Sequence, residues 1–206
     1  MGACGLPGNS LDAHGSEAIA LMMPAYYMPT ADVGPNDIAA AKVSWSLITD
    51  DKAQPFLFGK KERLFQYSTC IGWFYVVFFE RLFDVHPACK PLFTAGVISQ
   101  GKFLVKMITL SLHQLDEQEA FINTMHTLAV RHCERGVRAV EFGIVGDVLF
   151  YTLRKVLGDD YTDEVDIVWK KIYSGMLRII VPLVIAYEMS GSASVSDDPD
   201  SKVEAS

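Results

Sequence analysis

Apolar residues recur at intervals of three and four along most of the chain, which is the spacing of one face of an α-helix. The first such segment is IAAAKVSWSLI at 38–48, and either Asn36 or Asp37 can cap a helix there. The segment 67–85 is apolar on nearly every side, so we expect its helix to be deeply buried. The stretch 49–63 between them has no sustained period and is predicted to be a loop or a short insertion.

The second half of the chain continues the helical pattern. Pro87 fits the first turn of a short helix that ends near Phe93, and a longer helix follows at about 96–114. Three more helices are each predicted from the face that their residues share. The first face consists of Phe121, Met125, Leu128 and His132, and the second of Val137, Val140, Ile144, Val148, Tyr151 and Lys155. The third consists of Val165, Val168, Ile172, Met176 and Ile180. The sequence has no clean period-two alternation and no Asn-Gly hairpin signal, so the predicted fold is all-α with about seven helices.

The composition fits one folded domain with a tail at each end. Half of the 206 residues are apolar, which is enough for a sizeable core. Residues 1–36 are predicted to be a flexible N-terminal extension, 37–188 the folded domain, and 189–206 a disordered C-terminal tail rich in Ser and Asp. The start MGACGL has Gly2 and Cys4 but Leu6 where a myristoylation signal has Ser or Thr, so acylation stays open.

Charge and cysteine spacing exclude several classes of protein. The net charge is -7 and no basic stripe is present, so no nucleic-acid partner is expected. The longest strongly apolar run, 176–187, contains Arg178 and Pro182 and is too short to span a bilayer, so a membrane role is not expected. The absence of a signal-peptide pattern leads us to expect a cytoplasmic protein. The four cysteines have no CxxC spacing, which argues against a zinc site and a disulfide framework.

Two polar residues on apolar faces are the candidates for ligand binding. His132 either packs in the core or is directed at a metal or a large flat ligand. Gln100 begins a face that continues through Leu104, and its amide either lies half-exposed or points into an apolar pocket. One imidazole, one amide and the aromatic residues Phe79 and Phe93 on an all-α scaffold would suit a haem with an open sixth position.

Four segments, in order along the chain, resemble the globin family. SWSLI (44–48) is similar to the first globin helix, and FFERLFDVHPACKPLF (78–93) to the second and third. LAVRHCERGVRAVEFGIVGDVLFYTL (128–153) resembles the segment with the proximal histidine, and LGDDYTDEVDIVWKKIYSGM (157–176) the final helix. The resemblance covers about 37–188 and is closest to the neuroglobin-like and flavohaemoglobin-like single-domain globins of microbial eukaryotes.

The resemblance implies a non-covalent haem b with His132 as the proximal ligand of its iron. The other matches are Phe93 for the aromatic that stacks on the porphyrin, Val137 for the corner residue under the haem, Phe79 for the distal aromatic of the second helix, Gln100 for the distal residue beside the bound gas, and Leu104 for the apolar residue one turn later. Arg131, Arg135 and Lys102 either pair with the haem propionates or are solvated helix ends.

Three other histidines are rival candidates for the iron ligand. His113 lies more than three turns beyond Gln100, and His126 lies on another face of the His132 helix. Both are expected to be surface residues or core fillers. His86, just before Pro87, is expected to be a solvated turn residue.

Departures from the resembled proteins bear on function. Flavohaemoglobins that oxidise nitric oxide have Tyr at the position of Phe79, and a Glu that bonds the proximal histidine where this chain has an apolar residue or Pro182. No GxGxxG follows a strand, so a redox cycle would need an external reductase. Neuroglobins have a distal His where this chain has Gln100, and an amide is a poor iron ligand, so a penta-coordinate haem is expected.

Three functions follow from these expectations. The first is reversible binding of oxygen, or of nitric oxide and carbon monoxide, for storage, scavenging or sensing. The second is nitric oxide dioxygenase activity that depends on a separate reductase. The third, a haem-free scaffold for protein interaction, is disfavoured by the joint presence of His132, Phe93 and Gln100.

Overall fold

Seven α-helices make up most of the part of the chain that the computed structural model describes, which is residue 19 and residues 21–193, with side chains to 190. The helices are α1 Pro35–Thr49, α2 Gln54–Lys61, α3 Cys70–Val85, α4 Val97–His113, α5 Gln118–Cys133, α6 Ala139–Leu157 and α7 Asp163–Ala193. Short 3-10 helices occupy Pro87–Leu92, Gln114–Asp116 and Gly158–Asp160. These described residues contain no strand, and the all-α prediction with about seven helices is confirmed.

The core lies where α3 and α7 meet the other helices. The α3 helix packs on α4 and α6, while α7 packs on α1, α5 and α6. Thr69 caps α3 by accepting a hydrogen bond from the Gly72 N–H at 3.1 Å. Seven of the sixteen residues of α3 are buried, including Phe74, Phe78 and Phe79, so its predicted deep burial is confirmed.

The beginning of α1 differs from the prediction. The helix starts at Pro35 with Gly34 as its cap, so neither Asn36 nor Asp37 occupies the cap position. Asp37 instead lies in the first turn, where its carboxylate accepts a hydrogen bond from the Gly34 N–H at 3.0 Å and from the Lys171 Nζ at 3.1 Å. Proline is favoured at the first helical position because its missing N–H would have no partner there anyway.

The segment 49–63 is not only a loop, because it contains the helix α2. Phe56 is fully buried, and the Phe65 ring lies against Gly59 so closely that a side chain at that position would overlap it. The helix escaped prediction because it is eight residues long and includes Pro55 and Gly59. Tertiary packing of Phe56, rather than a repeated apolar face, holds it in place.

The buried face of α6 is broader than predicted and shifted around the helix. Val140 and Tyr151 were expected to face the core but are 43% and 41% exposed. The buried residues include Phe142, Phe150 and Leu153 because α6 packs on α3 on one side and on α7 on the other. A helix buried against two neighbours does not have a single stripe of apolar residues.

Residues 21–34 pack on α6 and α7 rather than forming part of a flexible extension. The Tyr26 hydroxyl donates to the Gly143 carbonyl at 2.9 Å, and the Met28 N–H donates to the Ser174 hydroxyl at 3.0 Å. Arg178 donates to the carbonyls of Pro29 and Ala31. Periodicity could not reveal this segment because it is held by single contacts to distant helices. Residues 1–18 and 20, with Gly2 and Cys4, lie outside the described residues.

The last helix extends five residues beyond the predicted domain boundary at 188, to Ala193, and residues 194–206 lie outside the described part. By length and composition alone, Asp163–Ser190 is a stretch that could cross a membrane, with a mean hydropathy of 1.5 over its most apolar window. Its side chains Trp169, Ile172 and Ile180 are buried in the core. Core packing therefore accounts for part of the apolar character of α7, since 44% of that window is buried.

Candidate haem pocket

A cavity of about 210 Å³ lies between α3, α4, α5, α6 and α7. All six residues that the sequence singled out line it, namely Phe79, Phe93, Gln100, Leu104, His132 and Val137. They come from four different parts of the chain, and the fold brings them to one place. The rest of the wall is mainly aliphatic and aromatic, with Ser111 and Glu141 as further polar residues.

His132 lies in the last turn of α5 as a neutral imidazole with a fixed tautomer. Its Nδ1 lies 2.7 Å from the Leu128 carbonyl oxygen, and because a carbonyl can only accept, Nδ1 carries the proton. The other nitrogen, Nε2, is therefore unprotonated. Burial lowers the pKa of His132, the hydrogen bond to Leu128 opposes that effect, and the charge of Arg135 adds to it. A neutral imidazole held through one nitrogen is the form that binds a metal through the other.

The corner after His132 is held by backbone hydrogen bonds and by two carboxylates. Gly136 has a φ of 76°, which favours glycine, and this lets the Val137 N–H return to the His132 carbonyl at 3.0 Å. The Arg138 N–H then donates to Glu141 at 2.8 Å, and the Ala139 N–H donates to Glu188 at 2.9 Å. The Arg138 and Ala139 N–H groups at the start of α6, which have no acceptor within the helix, are therefore paired with carboxylates. Val137 lies between this anchored helix start and the end of α5.

Aromatic rings form the wall where α3 meets the short helix Pro87–Leu92. The Phe79 and Phe93 centroids are 5.2 Å apart, at an interplanar angle of 74°. Phe83 packs against both rings, at 5.8 Å from Phe79 and 5.5 Å from Phe93. Edge-to-face contacts of this kind fix ring orientation, so both cavity-lining rings are held by the core.

Gln100 lies in the first turn of α4, and Leu104 follows one turn later on the same wall. Within the described residues, the Gln100 amide makes no hydrogen bond to another side chain or to the backbone. Gly101, beside it, lies so close to the Tyr75 ring that a larger residue would overlap the ring. This close approach brings α4 onto α3, and Gln100 lines the cavity beside it.

The rival histidines do not line the cavity. His113 is exposed at the end of α4, and His126 is half-buried on another face of α5. His86 is not the solvated turn residue that was expected, because its Nε2 lies 2.8 Å from the Glu141 Oε1 in a largely buried pair. Glu141 is a charged pocket residue that sequence reasoning missed. Its position three residues after Arg138, where a helix begins, was the only available signal.

The charged residues considered for the propionates, Arg131, Arg135 and Lys102, are exposed. Arg135 donates to the Arg131 carbonyl at 3.1 Å. Cys133 is buried and does not line the cavity, and burial is the main cause that raises the pKa of its thiol.

The donor set fits a haem better than a bare metal ion. No group of three or more His, Cys, Asp or Glu side chains converges on a metal position among the residues that the structure describes. A metal ion held only by protein would need several such ligands. A single neutral imidazole in an apolar, aromatic cavity suits a flat macrocycle that carries its own four ligands.

A family model named Globin matches residues 76–180, about half of the chain. This chain belongs to the globin family. A flavohemoprotein from Rhizobium meliloti is 27% identical over 106 residues, which are 50% of this globin and 26% of the relative. Neuroglobin-2 from Oncorhynchus mykiss is 29% identical over 113 residues, covering 48% of this globin and 71% of the relative. A neuroglobin from Danio rerio is 29% identical over 114 residues, with the same coverage.

The two groups of relatives differ in how much of their length this globin matches. It spans about a quarter of the flavohemoproteins and over two thirds of the neuroglobins. The matched family region begins in α3 and ends in α7, so it includes the whole wall of the cavity from Phe78 to Ile180. The helices α1 and α2 precede the matched region but pack on the same core.

Proposed function

We propose that this globin binds one haem b non-covalently in the cavity, with Nε2 of His132 as the protein ligand of the iron. Membership of the globin family supports haem-based gas binding in general. The observation that carries the finer proposal is the Leu128 hydrogen bond, which leaves Nε2 as the unprotonated nitrogen of a cavity-lining imidazole. A ferrous haem supplies an iron to which a diatomic gas binds reversibly.

The remaining pocket residues would orient the haem and the gas. Phe93 and Val137 would pack against the macrocycle, and Phe79 and Leu104 would keep water from the gas side. The Gln100 amide would donate a hydrogen bond to a bound gas that carries partial negative charge. Arg131, Arg135 and Lys102 remain the candidates for the propionates, since charged groups pair with carboxylates at a pocket mouth.

We infer that the function is reversible binding of oxygen or nitric oxide, with carbon monoxide as a further ligand, in the cytoplasm. Storage, scavenging and sensing all use this chemistry. The inference is supported by the presence of a single histidine among the described residues of the cavity wall, because a second one would compete with the gas for the iron. The haem is therefore proposed to be penta-coordinate when reduced.

The second candidate is a nitric oxide dioxygenase that depends on a separate reductase. The similarity to flavohemoproteins favours it. Two features favour simple binding instead. Phe79 cannot donate a hydrogen bond to the gas, and His132 donates to the Leu128 carbonyl rather than to a carboxylate that would increase its basicity.

Nitric oxide consumption in air separates the two candidates. The reduced globin is mixed with nitric oxide and oxygen, with and without an added flavin reductase and its nicotinamide donor. We expect one turnover per haem without the reductase and slow cycling with it. Sustained rapid turnover with the reductase would favour the dioxygenase, and a reduced protein that binds neither oxygen nor nitric oxide would contradict both candidates.

A further inference from the structure

Glu141 uses both of its carboxylate oxygens to connect two walls of the cavity. Oε2 accepts a hydrogen bond from the Arg138 N–H at 2.8 Å, and Oε1 accepts one from the His86 Nε2–H at 2.8 Å. The side chains of His86 and Glu141 are 19% and 13% exposed. Glu141 also lines the cavity, so this pair lies at the pocket and not on the outer surface.

The two partners of Glu141 belong to segments that end at pocket residues. Arg138 directly follows Val137, in the corner that His132 begins. His86 directly precedes the short helix Pro87–Leu92, and that helix leads to Phe93. Burial and, after it, the charge of Glu141 raise the pKa of the Cys89 thiol, which indicates that the carboxylate also lies near the middle of the short helix.

We propose that Glu141 is a positioning residue for the haem, fixing the distance between the His132 corner and the segment that carries Phe93. This inference rests on the proposed function. We do not assign Glu141 to the gas or the iron, because each of its oxygens already accepts a hydrogen bond, one from His86 and one from Arg138. It acts through those two partners on Val137 and Phe93, the residues proposed to pack on the haem.

A plain helix cap would explain the Arg138 contact but not the His86 contact. Asp37 provides the comparison, because it makes the same kind of contact with the Gly34 N–H at the start of α1 and does not line the cavity. Asp37→Asn is therefore the control, because it changes a carboxylate that pairs with a helix start but does not line the cavity. His86→Ala removes the bridge of Glu141 and leaves its cap at Arg138 in place.

The test compares the wild type, Glu141→Ala, Glu141→Gln, His86→Ala and Asp37→Asn as haem-loaded proteins. Haem loss to excess apomyoglobin measures retention, and resonance Raman of the ferrous protein measures the iron–histidine stretch. A hydrogen bond to a charged group is worth about 1.5–3 kcal/mol, so we expect haem loss to be roughly ten- to a hundredfold faster in Glu141→Ala. By the same conversion, His86→Ala should lose haem about tenfold faster than the wild type.

The Raman frequency and the conservative variant distinguish positioning from loss of stability. The iron–histidine stretch should shift in Glu141→Ala and His86→Ala and stay constant in Asp37→Asn. Glu141→Gln, whose amide retains an acceptor for Arg138, should recover part of the retention. If Glu141→Ala does not fold, His86→Ala alone carries the test.

Wild-type haem loss and Raman frequency in His86→Ala would overturn the inference and leave the proposed function standing. A wild-type chain that takes up no haem would overturn the proposed function together with the haem role of Glu141. In that case, hydrogen exchange of the Arg138 and Ala139 amides would be compared between wild type and His86→Ala. Faster exchange in the variant would still show that the His86–Glu141 hydrogen bond orders the corner between α5 and α6.

Discussion

The two sides of the cavity are held by different kinds of interaction. On the His132 side, the imidazole is tied to the Leu128 carbonyl, and the following corner is tied to Glu141 and Glu188. On the α4 side, Leu104 and its neighbours are held by apolar packing, and the Gln100 amide makes no hydrogen bond within the described part of the chain.

This difference matches two separate tasks. A metal ligand must be held in one orientation, and hydrogen bonds to the ring and to the corner achieve this because they are directional. A group that discriminates between gases must have a donor that is not already used. We therefore expect substitutions on the His132 side to change haem retention, and substitutions on the α4 side to change gas kinetics at full haem content.

The largest expected effect is the loss of haem from His132→Ala. This variant removes the only imidazole among the described residues that line the cavity, and the other described lining residues offer no comparable ligand. Haem content per chain after purification is the measurement, and added free imidazole should restore part of it. His126→Ala is the matched control, because it lies on another face of α5 and should retain haem. Normal ferrous spectra in His132→Ala would contradict the assignment.

The second effect is on oxygen release and concerns Gln100→Leu. Bound oxygen draws electron density and accepts the amide hydrogen bond, whereas carbon monoxide does so far less. A hydrogen bond to a charged acceptor is worth about 1.5–3 kcal/mol, which predicts oxygen dissociation roughly ten- to a hundredfold faster. Stopped-flow displacement of oxygen by carbon monoxide measures it. Equal oxygen off-rates in the two proteins would mean that the amide does not reach the gas.

Phe79→Tyr should have a smaller effect in the opposite direction. The added phenol offers a second donor on the gas side, but the bound oxygen already accepts from Gln100, so we expect only the net value of an ordinary hydrogen bond, about 0.5–1.5 kcal/mol. Oxygen release should therefore slow by about two- to tenfold by the same conversion. Phe79→Leu is the control, since it changes the ring without adding a donor. If the tyrosine variant releases oxygen as fast as the wild type, the ring lies too far from the gas.

The smallest effect is that of Asp37→Asn, which lies away from both sides of the cavity. The Gly34 N–H and, less strongly, Lys171 hold the pKa of Asp37 below its usual range, and partial burial opposes them. A carboxyl whose pKa is lowered on folding stabilises the protein above its unfolded pKa of about 3.9, and this stabilisation is lost as the pH falls through the folded value. At pH 7 the variant should melt about 1–4 °C lower.

Thermal melts of wild type and Asp37→Asn from pH 7 down to pH 3 test this prediction. The two curves should converge as the pH falls, and haem retention and oxygen kinetics at pH 7 should be equal. A difference that stays constant with pH would show that the charge of Asp37 is not the cause.

Most of the helices and six of the residues that line the cavity could be predicted from the sequence, whereas the hydrogen bonds between these segments could not. The apolar spacing that predicted α3, α4, α5 and α7 depends only on residues close together in the sequence. The resemblance to globins then implied the pocket roles of His132 and Gln100. The pairing of His86 with Glu141 joins residues 55 positions apart, and no local pattern encodes it. For the same reason, the packing of Tyr26 on α6 escaped prediction.

Haem binding with an open gas side is tested most directly by the absorption spectrum of the purified globin. The spectrum is recorded as isolated, after dithionite and after carbon monoxide. We expect a Soret band, a ferrous spectrum with one broad visible band typical of five-coordinate iron, and two visible bands once carbon monoxide is added. A preparation supplied with haem that shows no Soret band would contradict haem binding. Sharp split visible bands in the ferrous protein before any gas is added would contradict the open gas side, because a second side chain would then occupy the iron.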